Sequence, residues 1–248
     1  MQSLLEDNKA TQISFEETMF RDLIQSTTLP QQEKSLDRLT DEGFVILGAG
    51  SDSVAKTLGI IIVHLTLQPA LLKRLRAALV KGLRDGQSAS WTELEKIPLL
   101  AAVVKEGVRL HHGLSARTPR IAPNEALIYK QWRIPAGIPV SSVQALIHLN
   151  SDIFPQPRSF CPDRWLDNGH LHTRLDAFLL SFGRGARACL GINLAYAELY
   201  IALAALVQRF DFTLYETDAR DVDLQRDLTI PAARPGSLGV RAQIANKL

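Results

Sequence analysis

The chain has 248 residues, 46% of them apolar and 22% charged, enough for one large domain or two small ones around a substantial core. A net charge of +2 is too mild for nucleic-acid binding, and no base-reading motif accompanies it. Two cysteines, Cys161 and Cys189, make no disulfide framework, and no C-x-x-C or H-x-x-x-H pair suggests zinc, so a reducing compartment is the default.

Residues 1–39 are polar and mixed in charge and read as an N-terminal segment, partly helical or flexible. They hold no apolar signal-peptide core. The longest apolar stretch, Thr57 to Leu67, is too short to span a bilayer. From residue 40 to 248 the pattern reads as one folded region. Residues 40–67 predict a long helix, capped by Thr40 or Asp41 with Glu42 in its first turn. FVIL and TLGIIIVHLTL are apolar almost all round, the pattern of a helix buried in mid-core. Between them, GAGSDS is a poor helix former, its two glycines costing roughly 1 kcal/mol each relative to alanine.

Pro69 opens a second helix running to about Gly82. A short helix follows at 91–96, and Pro98 starts a third long helix that Gly113 ends. From 114 to 145, RTPRIA, ALIYK and WRIPAGIPVSSV read as strands, with a turn at Pro135-Ala136-Gly137. Residues 150–187 form a long, proline-punctuated coil, of the kind that is functional or wrapped on something. A helix returns from Gly191 to Arg209, and the tail, FTLYE through RPGSLGVRA, reads as a β-hairpin. The class is helix-rich α+β with small segregated sheets.

FGRGARACLG, residues 182–191, places Cys189 just before that last helix. Free N–H groups and partial positive charge at a helix N-terminus stabilise a thiolate, and Arg187 adds to the effect. Gly183, Gly185 and Gly191 allow unusual backbone conformations and the close approach of a flat object. An anionic sulfur in such a loop is a nucleophile or a metal ligand; the bland alternative is an inert cysteine in a glycine-rich turn. The pattern F-x-x-G-x-R-x-C-x-G resembles the haem-thiolate loop of the cytochrome P450 family. The resemblance implies haem b (iron protoporphyrin IX) with Cys189 as axial ligand, Phe182 shielding the sulfur and Arg187 pairing with a propionate. Cys161 lies in a different motif.

Further motifs fit the same family in the same order. KEGVRL places Glu106 and Arg109 at i, i+3 on one helical face. Alone this suggests a weak surface pair, but apolar flanks point to burial, which demands further partners. By resemblance, FCPDRW supplies one: a structural triad of Glu106, Arg109 and Arg164. AGSDS, Ala49 to Ser53, reads either as close helix packing with Ser53 bonded back to a carbonyl or, by resemblance, as the oxygen-binding kink. In the second reading Ala49 and Gly50 leave room for O2, and Asp52 and Ser53 form the acid–alcohol proton relay. Ser53 departs from the family's commoner threonine, which leaves the relay chemistry but puts its efficiency in question. TPRIAP holds Arg120, either an exposed strand-end residue or, by resemblance, the second propionate arginine. His111, His112 and His148 read as solvated or structural. KRLRAALVKGLR (Lys73, Arg74, Arg76, Lys81, Arg84) is a solvated helix face, with docking of an acidic redox partner as the lesser reading.

The resemblance covers roughly residues 40 to 245 and is greatest to fungal microsomal members of secondary-metabolite pathways. It implies the C-terminal portion of the P450 fold, without the N-terminal half and its membrane anchor, as in a fragment, a truncated gene product or one part of a split gene. The implied activity is monooxygenation of an apolar small molecule, with O2 and with electrons from NADPH through a P450 reductase. Full-length relatives are expected at the endoplasmic reticulum, and a chain without anchor in the cytoplasm. A reductase-independent isomerase or dehydratase and an inactive haem-binding remnant are the alternatives. Retention of the acid–alcohol pair argues against the isomerase.

Overall fold

A computed structural model describes residues 18–83, 89–171 and 173–247. It divides into two compact units, Met1–Ser51 and Asp52–Leu248. In the first, α1 (Met19–Gln25) precedes a 3-10 turn (Gln31–Lys34) and the start of the long helix α2 (Leu36–Leu67). The helix begins four residues earlier than the capping signals suggest. Thr40 is not a cap: its hydroxyl donates to Leu36 O at 2.8 Å, one turn back inside the helix. Ion pairs of Arg38 with Glu33 and Glu42 support this first turn.

The uniform burial expected of α2 is corrected as well. Phe44, Val45 and Leu47 are exposed, and buried positions begin only at Val54. By length and composition α2 could cross a membrane (mean hydropathy 1.5), a property the run Thr57–Leu67 alone did not reveal. Its second half is instead committed to a protein core: Ile61, Val63 and Leu65 are almost fully buried.

In the second unit, α3 (Pro69–Gly82), α4 (Trp91–Leu94), α5 (Pro98–His111) and α7 (Ile192–Arg209) complete that core. Proline stands at the first position of both α3 and α5, where its missing N–H is no loss. Leu71, Leu75 and Leu79 give α3 a one-sided apolar stripe. By contrast, α5 is buried from Leu99 to His111 with only Lys105 partly exposed, and it forms the axis of the unit. Leu199, Leu203 and Val207 of α7 pack into the same cluster.

The strands form five two-stranded antiparallel sheets among the described residues. β1 (Thr118–Arg120) pairs with β4 (Val140–Ser142), and β2 (Leu127–Tyr129) with β3 (Trp132–Ile134). The turn at Pro135–Gly137 is present, with Gly137 at φ +80°. A short helix, α6 (Gln144–His148), begins at the end of the region read as strands and continues into residues that the pattern left unassigned. β5 (Leu166–Asp167) and β6 (His170–Leu171) make a small hairpin within the coil. The tail is not one hairpin. β7 (Phe210–Leu214) pairs with β10 (Ala242–Lys247), enclosing a separate hairpin of β8 (Arg226–Leu228) and β9 (Ile230–Ala232). Together these elements make an α+β, mostly helical chain.

Candidate functional site

The second unit is organised around Glu106 and Arg109, one turn apart on α5 and both fully buried. Glu106 accepts five hydrogen bonds. Two come from Arg109 (2.9 and 2.8 Å), and one each from Arg164 Nε (3.1 Å), the Cys161 N–H (2.9 Å) and Trp165 Nε1 (2.9 Å). Burial opposes its ionisation. The hydrogen bonds and charge of Arg109, the charge of Arg164 and the Cys161 N–H outweigh that, and its pKa lies below the usual carboxylate value. Arg109 spends its remaining donors on the carbonyls of His148, Pro157 and Ser159. Arg164 adds the Pro155 carbonyl at 2.9 Å. Three side chains thus fix the course of the coil from 148 to 165, whose backbone has no regular ladder to satisfy it.

Beyond Arg109, α5 ends with His112 at φ +65° and Gly113 at φ +73°. A Cβ on Gly113 would lie 2.1 Å from the Ser181 carbonyl oxygen, so only glycine lets the two backbones meet. The Ser181 hydroxyl donates to Val108 O at 2.6 Å, and the Leu180 N–H donates to buried His148 Nε2 at 2.9 Å. Lys105 holds Asp176 at 2.7 Å, and Arg184 donates to the Asp176 carbonyl. The loop that carries Cys189 is therefore tied at its start to both α5 and α6.

Within the loop, the Cys189 N–H donates to Phe182 O at 2.8 Å and the Gly183 N–H to Leu180 O at 2.8 Å. Gly183 and Gly185 adopt φ values of +68° and +75°. The Phe182 ring packs 5.2 Å from Tyr196 of α7. Cys189 is exposed, Leu190 wholly so, and Gly191 caps α7 with open space where a Cβ would sit. Arg187 lies exposed in the same loop, and Arg120 is exposed at the end of β1. A free thiol, uncovered by protein side chains and flanked by glycines and an arginine, is a donor set that suits a thiolate-bound flat cofactor.

On α2, Asp52 is exposed and its carboxylate is held by Lys56 one turn on, at 2.8 Å. Ser53 is half-buried, and its carbonyl accepts the Thr57 hydroxyl at 2.9 Å. Ala49 and Gly50 belong to the first unit, where a Cβ on Gly50 would meet nothing within 4 Å. The expected solvated face of α3 is revised in part. Arg74 makes a bidentate pair with Asp163, while Arg76 pairs with Asp211 and donates to the Val207 and Phe210 carbonyls. Arg84 lies outside the described residues. The three histidines near the triad are buried rather than solvated. Burial pushes His111 and His148 down to about 4 and His112 to about 3. Sequence reasoning placed Trp165 in the FCPDRW motif without a role for its indole N–H, and missed Ser181, Lys56 and the Cys161 N–H. Trp165 stands beside Arg164 in FCPDRW, and a buried indole N–H needing an acceptor was the available signal.

The family profile named Cytochrome P450 matches residues 1–236. The chain belongs to the cytochrome P450 family. Cytochrome P450 monooxygenase claJ of Penicillium crustosum is 41% identical over 90% of this chain and 52% of its own length. Conidiogenone synthase PchP450 of Penicillium rubens is 42% identical over 90% of this chain and 45% of its own. N-acetyltryptophan 6-hydroxylase ivoC of Emericella nidulans is 37% identical over 91% and 45%. This P450 chain spans about half the length of the curated relatives it matches.

Proposed function

We propose that this chain carries the haem-thiolate portion of a fungal secondary-metabolite monooxygenase, with Cys189 as the axial ligand of haem b. The observation that carries the reading is the exposed Cys189 thiol at the end of a loop anchored to the Glu106–Arg109 helix. When bound, haem supplies O2 activation and insertion of one oxygen atom into an apolar small molecule, with electrons from NADPH through a P450 reductase. The chain's residues do the rest. Phe182, whose carbonyl accepts the Cys189 N–H and whose ring packs on Tyr196, is assigned the shielding of the sulfur. Gly183 and Gly191 keep the approach to the thiol free of side chains. Arg187 and Arg120 offer their guanidinium groups to two carboxylates. Asp52 and Ser53 move protons, the carboxylate drawing on solvent and the hydroxyl passing the proton on. Ala49 and Gly50 are assigned to the oxygen side on the family pattern alone. Glu106, Arg109 and Arg164 are structural. The same reading puts the complete protein at the endoplasmic reticulum, where the reductase is met.

The test is the absorption spectrum of the haem-loaded, CO-bound ferrous chain. A thiolate-type band is expected, retained in Cys161→Ser, lost in Cys189→Ala and replaced by an imidazole-type band in Cys189→His. An unchanged spectrum and iron content in the Cys189 variants refute the reading.

A further inference from the structure

α5 crosses α2 at Gly107, where a Cβ would lie 2.4 Å from Ile61 Cγ1 and 3.5 Å from Thr57 Cγ2. One turn further along α5, on the same face, stands His111. One turn back along α2 from Thr57 stands Ser53, with Asp52 beside it. The helices run in opposite directions: His64, late in α2, feels the charges of Glu106 and Arg109, whereas His111 feels those of Lys56 and Asp52. His111 therefore faces the Asp52–Ser53 turn. It is 7% exposed, and its Nε2 is buried with no hydrogen-bond partner. A buried ring nitrogen left unmatched is costly and marks a position kept for another reason.

The Asp52 carboxylate is already engaged by Lys56 at 2.8 Å. A proton leaving that carboxylate needs a further polar group to align its path toward Ser53. We infer that His111 is a positioning residue for this turn, its Nε2 hydrogen-bonding the solvent molecule through which a proton passes from Asp52 to the Ser53 hydroxyl. The inference rests on the relay proposed above. The charged and titratable groups around His111 are Asp52 and Lys56 on α2 and His112 on its own helix. Burial first, then Lys56, hold its pKa near 4 against the opposing pull of Asp52, so the imidazole is neutral at pH 7 and aligns the proton rather than storing it.

Two measurements decide it. In the full chain labelled with 15N-histidine, the His111 ring nitrogen resonances are followed in Asp52→Asn and Ser53→Ala. Both substitutions are expected to move Nε2. In the haem-loaded chain with a P450 reductase, His111→Phe puts a somewhat larger apolar ring in place of the imidazole and is expected to keep the thiolate CO band. It is expected to raise the hydrogen peroxide formed per NADPH about five- to tenfold, and His111→Gln, which restores a polar atom near Nε2, to reverse most of that. The inference is overturned if Nε2 is indifferent to Asp52 and Ser53, or if His111→Phe forms no more peroxide than the parent. It is also overturned if His111→Gln behaves like His111→Phe. A parent chain with no thiolate band sinks the haem assignment instead, and the nitrogen shifts then decide whether His111 addresses the turn.

Discussion

Glu106→Ala isolates the interaction on which the second unit depends. The carboxylate is fully buried and accepts five hydrogen bonds, three of them from guanidinium groups. Removing it leaves Arg109 as an uncompensated buried charge, which costs about 3–5 kcal/mol. The Trp165 and Cys161 N–H groups lose their acceptor as well. Against a domain stability of about 5–15 kcal/mol, a fifth or more of the total is at stake. Urea unfolding followed by far-UV circular dichroism at pH 7 reads the loss as a lowered midpoint at unchanged slope. Arg164→Ala, which removes one partner at a site 8% exposed, is expected to cost less, about 1.5–3 kcal/mol. Many buried ion pairs can be replaced by apolar residues at little cost. This one is different, because Arg109 also satisfies three backbone carbonyls. Glu106→Leu combined with Arg109→Met therefore remains destabilised. A Glu106→Ala loss below about 1 kcal/mol, or a double variant as stable as the parent, refutes the reasoning.

The acid side of the stability curve carries two signatures. His64, His111 and His148 have pKa values near 4 and His112 near 3, lowered chiefly by burial. The unfolded chain then binds more protons than the folded one between about pH 6.5 and 4, and stability falls with pH there, each histidine adding up to about 1.4 kcal/mol per pH unit. Urea midpoints at pH 7, 6 and 5 check this, and equal midpoints contradict it. Glu106, whose folded pKa is depressed, contributes stability above the ordinary carboxylate pKa that is lost as pH falls further, through the folded value. Gly107→Ala is expected to cost about 1–3 kcal/mol by driving a methyl group into immobile Ile61, read as a lowered thermal midpoint. Gly113→Ala combines a φ of +73° with a backbone clash at Ser181 and is expected to cost about 3 kcal/mol or more, with loss of the haem binding proposed for the Cys189 loop.

What the sequence made legible was local chemistry. Pro69 and Pro98 marked helix starts because a missing N–H is harmless only there. Gly183 and Gly185 marked a loop because their φ values are positive. What it hid was non-local or generic. β7 pairs with a strand about thirty residues away, across an intervening hairpin, and no turn signal announces that partnership. Phe44 and Leu47 look like core residues, and periodicity alone says nothing of whether a second surface covers them. Arg109 donates three of its five bonds to the carbonyls of His148, Pro157 and Ser159, groups that every residue possesses and no alphabet distinguishes. The E-x-x-R spacing identified the pair, but not the coil it clamps.

That clamp bears on the thiol. Cys189 sits in a loop whose glycines give it little rigidity of its own. Its placement comes from α5, through Gly113 and Val108 to Ser181, and through Arg109 and the His148 segment to Leu180. Glu106 in turn fixes Arg109, Arg164 and Trp165 in one geometry. In the proposed role of metal ligand, the thiol must hold its position to within a few tenths of an ångström, and a glycine-rich loop meets that requirement only if something stiffer directs it. In this chain the stiff element is the fully buried ion network. The buried triad therefore sets the position of the Cys189 loop on which the proposed haem ligation depends, and the same substitutions that destabilise the unit are expected to disturb the loop.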